Sequence, residues 1–160
     1  MRNLKNIPII LFVMAFCGCA TVEEKAARAA EQAAKVNKAL KERKYKIDVE
    51  RMYSMRGGSK TLSYGYSVEV RNDSLISYLP YFGRAYSVPY GGGKGLTFSE
   101  RIGSYQEYQK SNGLRHIEIG LRNDEDTYLY TIEVYDNGSS SISVQSRQRE
   151  NISYSGEMRF

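Results

Sequence analysis

From Tyr45 onward, apolar and polar residues alternate with a period of two, which predicts strands with one buried and one solvated face. Tyr45, Ile47 and Val49 alternate with Lys46, Asp48 and Glu50, and Leu62, Tyr64, Tyr66, Val68 and Val70 form an unbroken apolar series. Ile117, Ile119 and Leu121 repeat the pattern, as do Tyr128, Tyr130, Ile132 and Val134, then Ile142 and Val144. Between the last two runs lies Asp136-Asn137-Gly138, whose Asn-Gly pair tolerates positive φ and predicts a hairpin turn. Ile152, Tyr154, Met158 and Phe160 share parity, so a final strand is expected to reach Phe160. One-sided alternation favours antiparallel pairing. The expected fold is therefore mainly β, an antiparallel meander forming a sandwich or a partly open barrel, preceded by one N-terminal helix.

The period is helical upstream. Thr21-Val22-Glu23-Glu24 fits a capping box, and alanines at 26, 27, 29, 30, 33, 34 and 39 follow without Gly or Pro before Arg43. Glu24 and Arg28, and Glu31 and Lys35, are favourably oriented pairs four apart. Twenty or so helical residues make a rod of about 30 Å. Ala26, Ala29, Ala33, Val36 and Leu40 share one face, suited to packing on the sheet or on a partner helix.

The first residues have a different character. Arg2 and Lys5 precede an apolar run, Ile7 to Phe16, interrupted by Pro8; it is too short to span a bilayer but suits an export signal. Phe16-Cys17-Gly18-Cys19 then resembles a bacterial lipobox, although Phe16 and Cys17 replace the usual Leu and small residue. The resemblance implies cleavage after Gly18 and a diacylglycerol on Cys19, each acyl chain contributing about 0.8 kcal/mol per buried methylene. Residues 1–18 are thus expected to be a lipoprotein signal peptide, 19–44 a lipid-anchored helical tether and 45–160 an antiparallel β domain. The expected address is the cell envelope, with the outer membrane favoured and its periplasmic or surface face open.

Charge and cysteine content narrow the function. Glu23 to Lys46 holds eight basic against four acidic residues, whereas Ile47 onward holds 13 against 14. The basicity belongs to the tether, where it could meet anionic lipid, and the near-neutral β domain argues against nucleic acid as a partner. Both cysteines, Cys17 and Cys19, precede the tether, which excludes a disulfide framework, a thiolate metal site and a cysteine nucleophile from the β domain. Fourteen tyrosines and no tryptophan suit half-buried strands.

Candidate chemistry concentrates between residues 78 and 98. Tyr78, Tyr81, Phe82, Tyr86 and Tyr90 crowd a segment broken by Pro80, Pro89 and glycines at 91, 92, 93 and 95. Aromatic faces beside permissive backbone could bind a sugar, a peptide or an apolar ligand, with Arg84 and Lys94 attracting an anion. Tyr81, Phe82, Arg84, Tyr86, Tyr90 and Lys94 are the candidate ligand-binding residues. In the competing structural reading, the aromatics plug one end of the barrel and the glycines turn the chain. Gly91-Gly92-Gly93-Lys94-Gly95 is no phosphate loop, because Gly95 stands where Ser or Thr must follow the lysine.

Other motifs carry less. His116 is the single histidine, on the polar face beside Glu118 and Arg122, where a solvated role is expected. Asp124-Glu125-Asp126 lacks the alternation and turn glycine of a calcium loop and is expected to be a solvated hairpin turn. No serine lies in a nucleophile elbow or a Ser-x-x-Lys arrangement. No catalytic residue, metal ligand or cofactor is assigned, and a non-enzymatic role is expected.

Leu79-Pro80-Tyr81-Phe82-Gly83-Arg84-Ala85-Tyr86-Ser87-Val88-Pro89-Tyr90-Gly91-Gly92-Gly93-Lys94-Gly95-Leu96-Thr97-Phe98 resembles the signature of the domain-of-unknown-function family 4251, and Ile152-Ser153-Tyr154-Ser155-Gly156 resembles its final strand. The resemblance covers most of the chain after Lys35. It implies a Bacteroidetes lipoprotein with signal, helix and β region, and it supplies no activity or catalytic residue. The function expected is that of a lipid-anchored envelope protein with a non-catalytic module for a ligand or partner: an envelope protein, a glycan or a small molecule. The alternative is an assembly lipoprotein that docks on another envelope protein through its helix and sheet edges.

Overall fold

The computed structural model describes residues 22–63, 65–86, 95–110 and 113–160. Helix α1 spans Val22–Lys41 and carries the expected Glu24–Arg28 and Glu31–Lys35 pairs, the latter at 2.7 Å. Thr21, the expected N-cap, lies outside the described residues, as does Cys19. The helix stops at a left-handed Arg43 (φ 51°), and the last-turn carbonyls of Lys38 and Leu40 accept the N–H groups of Glu42 and Arg43. Only its second half packs. Val36, Ala39 and Leu40 are buried, whereas Val22 to Glu31 are exposed throughout. Of the predicted alanine face, Ala26 and Ala29 therefore touch nothing that buries them.

Among the described residues nine antiparallel strands follow: β1 (Lys44–Ser54), β2 (Gly58–Thr61), β3 (Ser67–Arg71), β4 (Ser74–Leu79), β5 (Leu96–Gln109), β6 (Arg115–Arg122), β7 (Thr127–Val134), β8 (Ser139–Ser146) and β9 (Ile152–Arg159). Neighbours in sequence pair from β3 to β9, and β9 returns to pair with β1, Ile47 opposite Met158 and Met52 opposite Tyr154. The expected mainly β antiparallel meander behind one helix is present, and its form is more specific than a sandwich or a partly open barrel. The meander closes into an eight-stranded barrel, with β2 as an extra strand on the distal half of β1. Closure removes the unpaired edges that an open sheet would leave. At eight strands the interior is just wide enough for side chains to fill. Ile47, Val68, Val70, Leu75, Ile117, Ile119, Tyr130 and Ile132 fill it, each essentially inaccessible to solvent. A fully buried aliphatic side chain contributes about 1.5–3 kcal/mol.

Two bulges re-aim strands. Glu50 is the extra residue between Val49 and Arg51 opposite Gly156 and Ser155, so the inward set changes from Ile47 and Val49 to Met52. Gly103 is the extra residue in β5, so its inward parity changes from Leu96, Phe98, Glu100 and Ile102 to Tyr105 and Glu107. The predicted unbroken series from Leu62 to Val70 is divided. β2 ends at Thr61, β3 begins at Ser67, and Gly65 between them has a φ of 115°. Tyr64 lies outside the described residues. The last strand ends at Arg159, and Phe160 is exposed rather than inward.

The Asn137-Gly138 turn forms as expected, with Gly138 at φ 87° and its N–H donating to Tyr135. This turn, the β3–β4 turn and the starts of β1 and β6 gather under α1 at what we term the helix end. The far end holds the β4–β5 connection, the β6–β7 turn and the β8–β9 connection.

Candidate functional site

At the far end, the stretch from Tyr81 to Tyr86 is fastened to the β8–β9 connection. Tyr86 N–H donates to Gln148 O (2.7 Å) and Glu150 N–H donates to Arg84 O (2.9 Å). The Tyr81 hydroxyl lies 3.0 Å from both the Arg84 and Glu150 carbonyl oxygens and donates to them. Burial, then the Glu150 carboxylate, raises its pKa above the usual tyrosine value. Arg149, 8% exposed, lies 5.5 Å over the Tyr81 ring and pairs with Glu125 at 3.2 Å. Tyr154 donates to Pro80 O at 2.7 Å. Tyr81 is thus the fastening of this strap.

The other candidates diverge from Tyr81. Phe82 is 55% exposed beneath the Lys60 ammonium, 4.6 Å from the ring centroid, and Tyr86 is 65% exposed. Arg84 is exposed, and its own N–H donates to Glu150 Oε2 at 3.3 Å. Tyr90 and Lys94 lie outside the described residues. The structure therefore brings Tyr81 together with Arg149, and Phe82 together with Lys60. It does not gather Tyr81, Phe82, Arg84 and Tyr86 around one cavity.

Two expectations for polar clusters are corrected. The Asp124–Asp126 turn joins β6 and β7 as a hairpin with Asp124 exposed, but it is not solvated throughout. Asp126 is buried and accepts the N–H groups of Thr127, Arg147 and Gln148, which ties the β6–β7 turn to the β8–β9 connection. Three backbone donors on one carboxylate use the lone pairs a calcium ion would need. His116 lies on the outer face, as alternation requires, but Tyr108 covers it at 4.6 Å between ring centroids. Its Nδ1 lies 3.1 Å from Glu133 and its Nε2 3.2 Å from Glu118, leaving the residue 8% exposed. Among the described residues no group of three or more His, Cys, Asp or Glu is placed to hold a metal.

The profile of the family DUF4251, a domain of unknown function, matches residues 27–158. The chain belongs to that family. The fold of this DUF4251 domain is also similar to a crystal structure of a DUF4251 family protein from Bacteroides eggerthii DSM 20697 determined at 1.95 Å. The TM-score is 0.63 at 12% identity, over 82% of this chain and 89% of the other. At that identity the likeness concerns the fold alone. No curated protein gives a significant match.

Sequence reasoning overlooked a second group of residues in this DUF4251 domain, at the helix end. A cavity of about 440 Å³ opens there between the last turn of α1 and the barrel mouth, lined by Asn37, Leu40, Lys41, Arg43, Tyr105, Glu107 and Arg115. A signal was present: Arg115 has the parity of Ile117 and Ile119, which directs it inward at the strand start. Glu107 points inward only because the Gly103 bulge shifts β5, which no sequence period announces. A groove of about 330 Å³ flanks the β1 bulge, where Asp48 is neutralised by Lys46 (3.3 Å) and Arg159 (3.2 Å).

Proposed function

We propose that this DUF4251 protein is a lipid-anchored envelope protein, held through Cys19, whose barrel is a non-catalytic binding module for an envelope partner. The observation that carries this reading is the division of α1 into a buried half and a solvent-exposed half. Val22 to Glu31 extend beyond the barrel for about 15 Å, which is the form of a stalk between an anchored cysteine and a folded head. The filled barrel interior favours recognition on the outside over storage of a ligand in the core. Exposed Phe82 and Tyr86 at the far end, set on a backbone that Tyr81 and Arg149 hold in place, are the surface offered for it. A non-catalytic role is supported by the use of Asp126, Glu150 and Tyr81 in fastening loops.

The anchor is tested by metabolic labelling with an alkyne fatty acid. The wild-type protein should take the label and lose residues 1–18, and Cys19→Ala should remain unlabelled with Cys17 intact. An unlabelled wild type, or a labelled Cys19→Ala, removes the anchor. The binding face is tested with a photo-crosslinking amino acid at Phe82 or Tyr86 and, as a control, at Ser141 on the outer wall of β8. A discrete adduct from 82 and 86 but not from 141 is expected; equal patterns from all three sites refute the far-end surface. An assembly role through the stalk is favoured by its unpacked alanines, and the same residue at Ala29 would then give the discrete adduct.

A further inference from the structure

We infer that the cavity beneath the last turn of α1 is a binding site for the phosphate group of a small ligand or lipid. The inference is independent of the far-end surface. The cavity holds about 440 Å³, within the range of small-molecule sites. Its wall carries three cations, Lys41, Arg43 and Arg115, against one carboxylate, Glu107. Glu107 is already engaged by Arg115 Nη1 at 3.4 Å, while Arg115 Nη2 donates to Asn37 Oδ1 on the helix. That leaves Lys41 and Arg43 facing no carboxylate on the cavity wall, and an excess of two positive charges. A phosphate monoester, with a charge of about −1.5 to −2 near neutral pH, matches that excess.

The donors are also in place. Arg115 Nε is buried and has no hydrogen-bond partner among the described residues. A buried donor without an acceptor is costly, so Arg115 Nε on the cavity wall points to an acceptor that completes it. Arg43 is held over the Tyr105 ring, its guanidinium carbon 4.3 Å from the centroid, which fixes the fork while leaving its N–H edge open. Arginine forks and a lysine point charge together are the usual means of holding phosphate oxygens. A helix carboxyl end ordinarily repels anions through its bare carbonyls. Here Lys38 O and Leu40 O are occupied by the N–H groups of Glu42 and Arg43, which blunts that repulsion. Leu40 and the Tyr105 ring offer apolar contact to the rest of the ligand.

The test uses the full chain in neutral detergent micelles, followed by nuclear magnetic resonance and by thermal unfolding. Inorganic phosphate is titrated against chloride at equal ionic strength, and in a second arm phosphatidylglycerol is titrated into the micelles against phosphatidylcholine. The comparison variant is Lys41→Gln with Arg43→Asn, both at exposed positions, Asn being chosen because it tolerates the left-handed backbone at 43. Saturable shifts of the Tyr105, Glu107 and Arg115 amides with inorganic phosphate, weakened about tenfold or more in the variant, support the site and a soluble phosphorylated ligand. The same shifts with phosphatidylglycerol alone, lost in the variant, support the site and assign it to a lipid head group. No shift in either arm, or shifts that the variant retains, overturn the proposal.

Discussion

Replacing Gly156 by alanine should strike the barrel at its closing seam. Gly156 faces Val49 across the β1–β9 pairing, where the Glu50 bulge pushes β1 towards it. A Cβ there would lie 2.9 Å from both the Asp48 carbonyl carbon and Val49 Cα, and closer still to the Asp48 carbonyl oxygen. These are backbone atoms, so no side-chain rotation can make room. Gly156 has no positive φ, so the cost is of space and not of backbone strain. Forcing the strands apart adds about 1–3 kcal/mol of overpacking and weakens one or two ladder hydrogen bonds at about 1 kcal/mol each. The expected loss is about 3–4 kcal/mol, a large part of a typical domain's 5–15 kcal/mol. With a urea dependence of about 1–2 kcal/mol per molar, the midpoint should fall by roughly 2 M. Gly120→Ala is the control, because its Cβ would meet Ser104 Oγ at 2.5 Å, a side-chain tip that can rotate away. That variant should stay within about 1 kcal/mol of wild type. Urea unfolding followed by far-ultraviolet circular dichroism measures both. A Gly156→Ala midpoint within about 0.5 M of wild type would refute the reasoning.

Further predictions follow from buried and paired groups. Burial holds the Tyr45, Tyr130 and Tyr154 phenols above the usual tyrosine range. They resist ionisation when folded and titrate near 10 when unfolded, so stability should be full below about pH 10 and fall above it. Their phenolate absorbance should then appear together with loss of the dichroism signal, and ionisation without unfolding would contradict the burial. Hydrogen bonds from Lys110 and then His116 lower the Glu133 pKa. The stability from Glu133 is thus present above the unfolded carboxylate range and lost as pH falls through the folded value. Glu133→Gln should cost less than about 1 kcal/mol at neutral pH, because the pair is partly solvated. That difference should vanish in acid, and a pH-independent deficit would place the effect elsewhere. Removing residues 22–31 should leave the urea midpoint of the barrel unchanged, and a marked fall would show that the exposed half of α1 packs after all.

Strands whose inward face is mostly apolar were legible from the chain alone. β6, β7, β8 and most of β9 follow their parity as written, because no bulge interrupts them. β4 and β5 gave no readable pattern, for different physical reasons. β4 is apolar on both faces, with Ile76 and Tyr78 outward and Ser77 inward, the serine satisfied by donating to Leu96 O (2.6 Å) and accepting from Tyr130 (3.0 Å). β5 changes parity at Gly103 and turns charged Glu107 inward, so its period is broken midway. Closure itself is a pairing of strands about a hundred residues apart, which no local pattern encodes. At the candidate site, the sequence located Tyr81 but not its task, since its partners come from the connection near Glu150. The helix-end cavity likewise unites residues from α1, β5 and β6 that share no motif.

The pairing of the first strand with the last also fixes when the domain can fold. β1 cannot complete its hydrogen bonding until β9 arrives, so a chain still being delivered amino-terminus first keeps two unsatisfied edges, on β1 and on whichever strand is newest. Contacts this distant in sequence slow the search for the native state, and an exposed edge is a template for pairing with other chains. The protein therefore depends on reaching its full length before it is safe from association, and a nonsense truncation before Ile152 would release two sticky edges at once rather than a slightly smaller barrel.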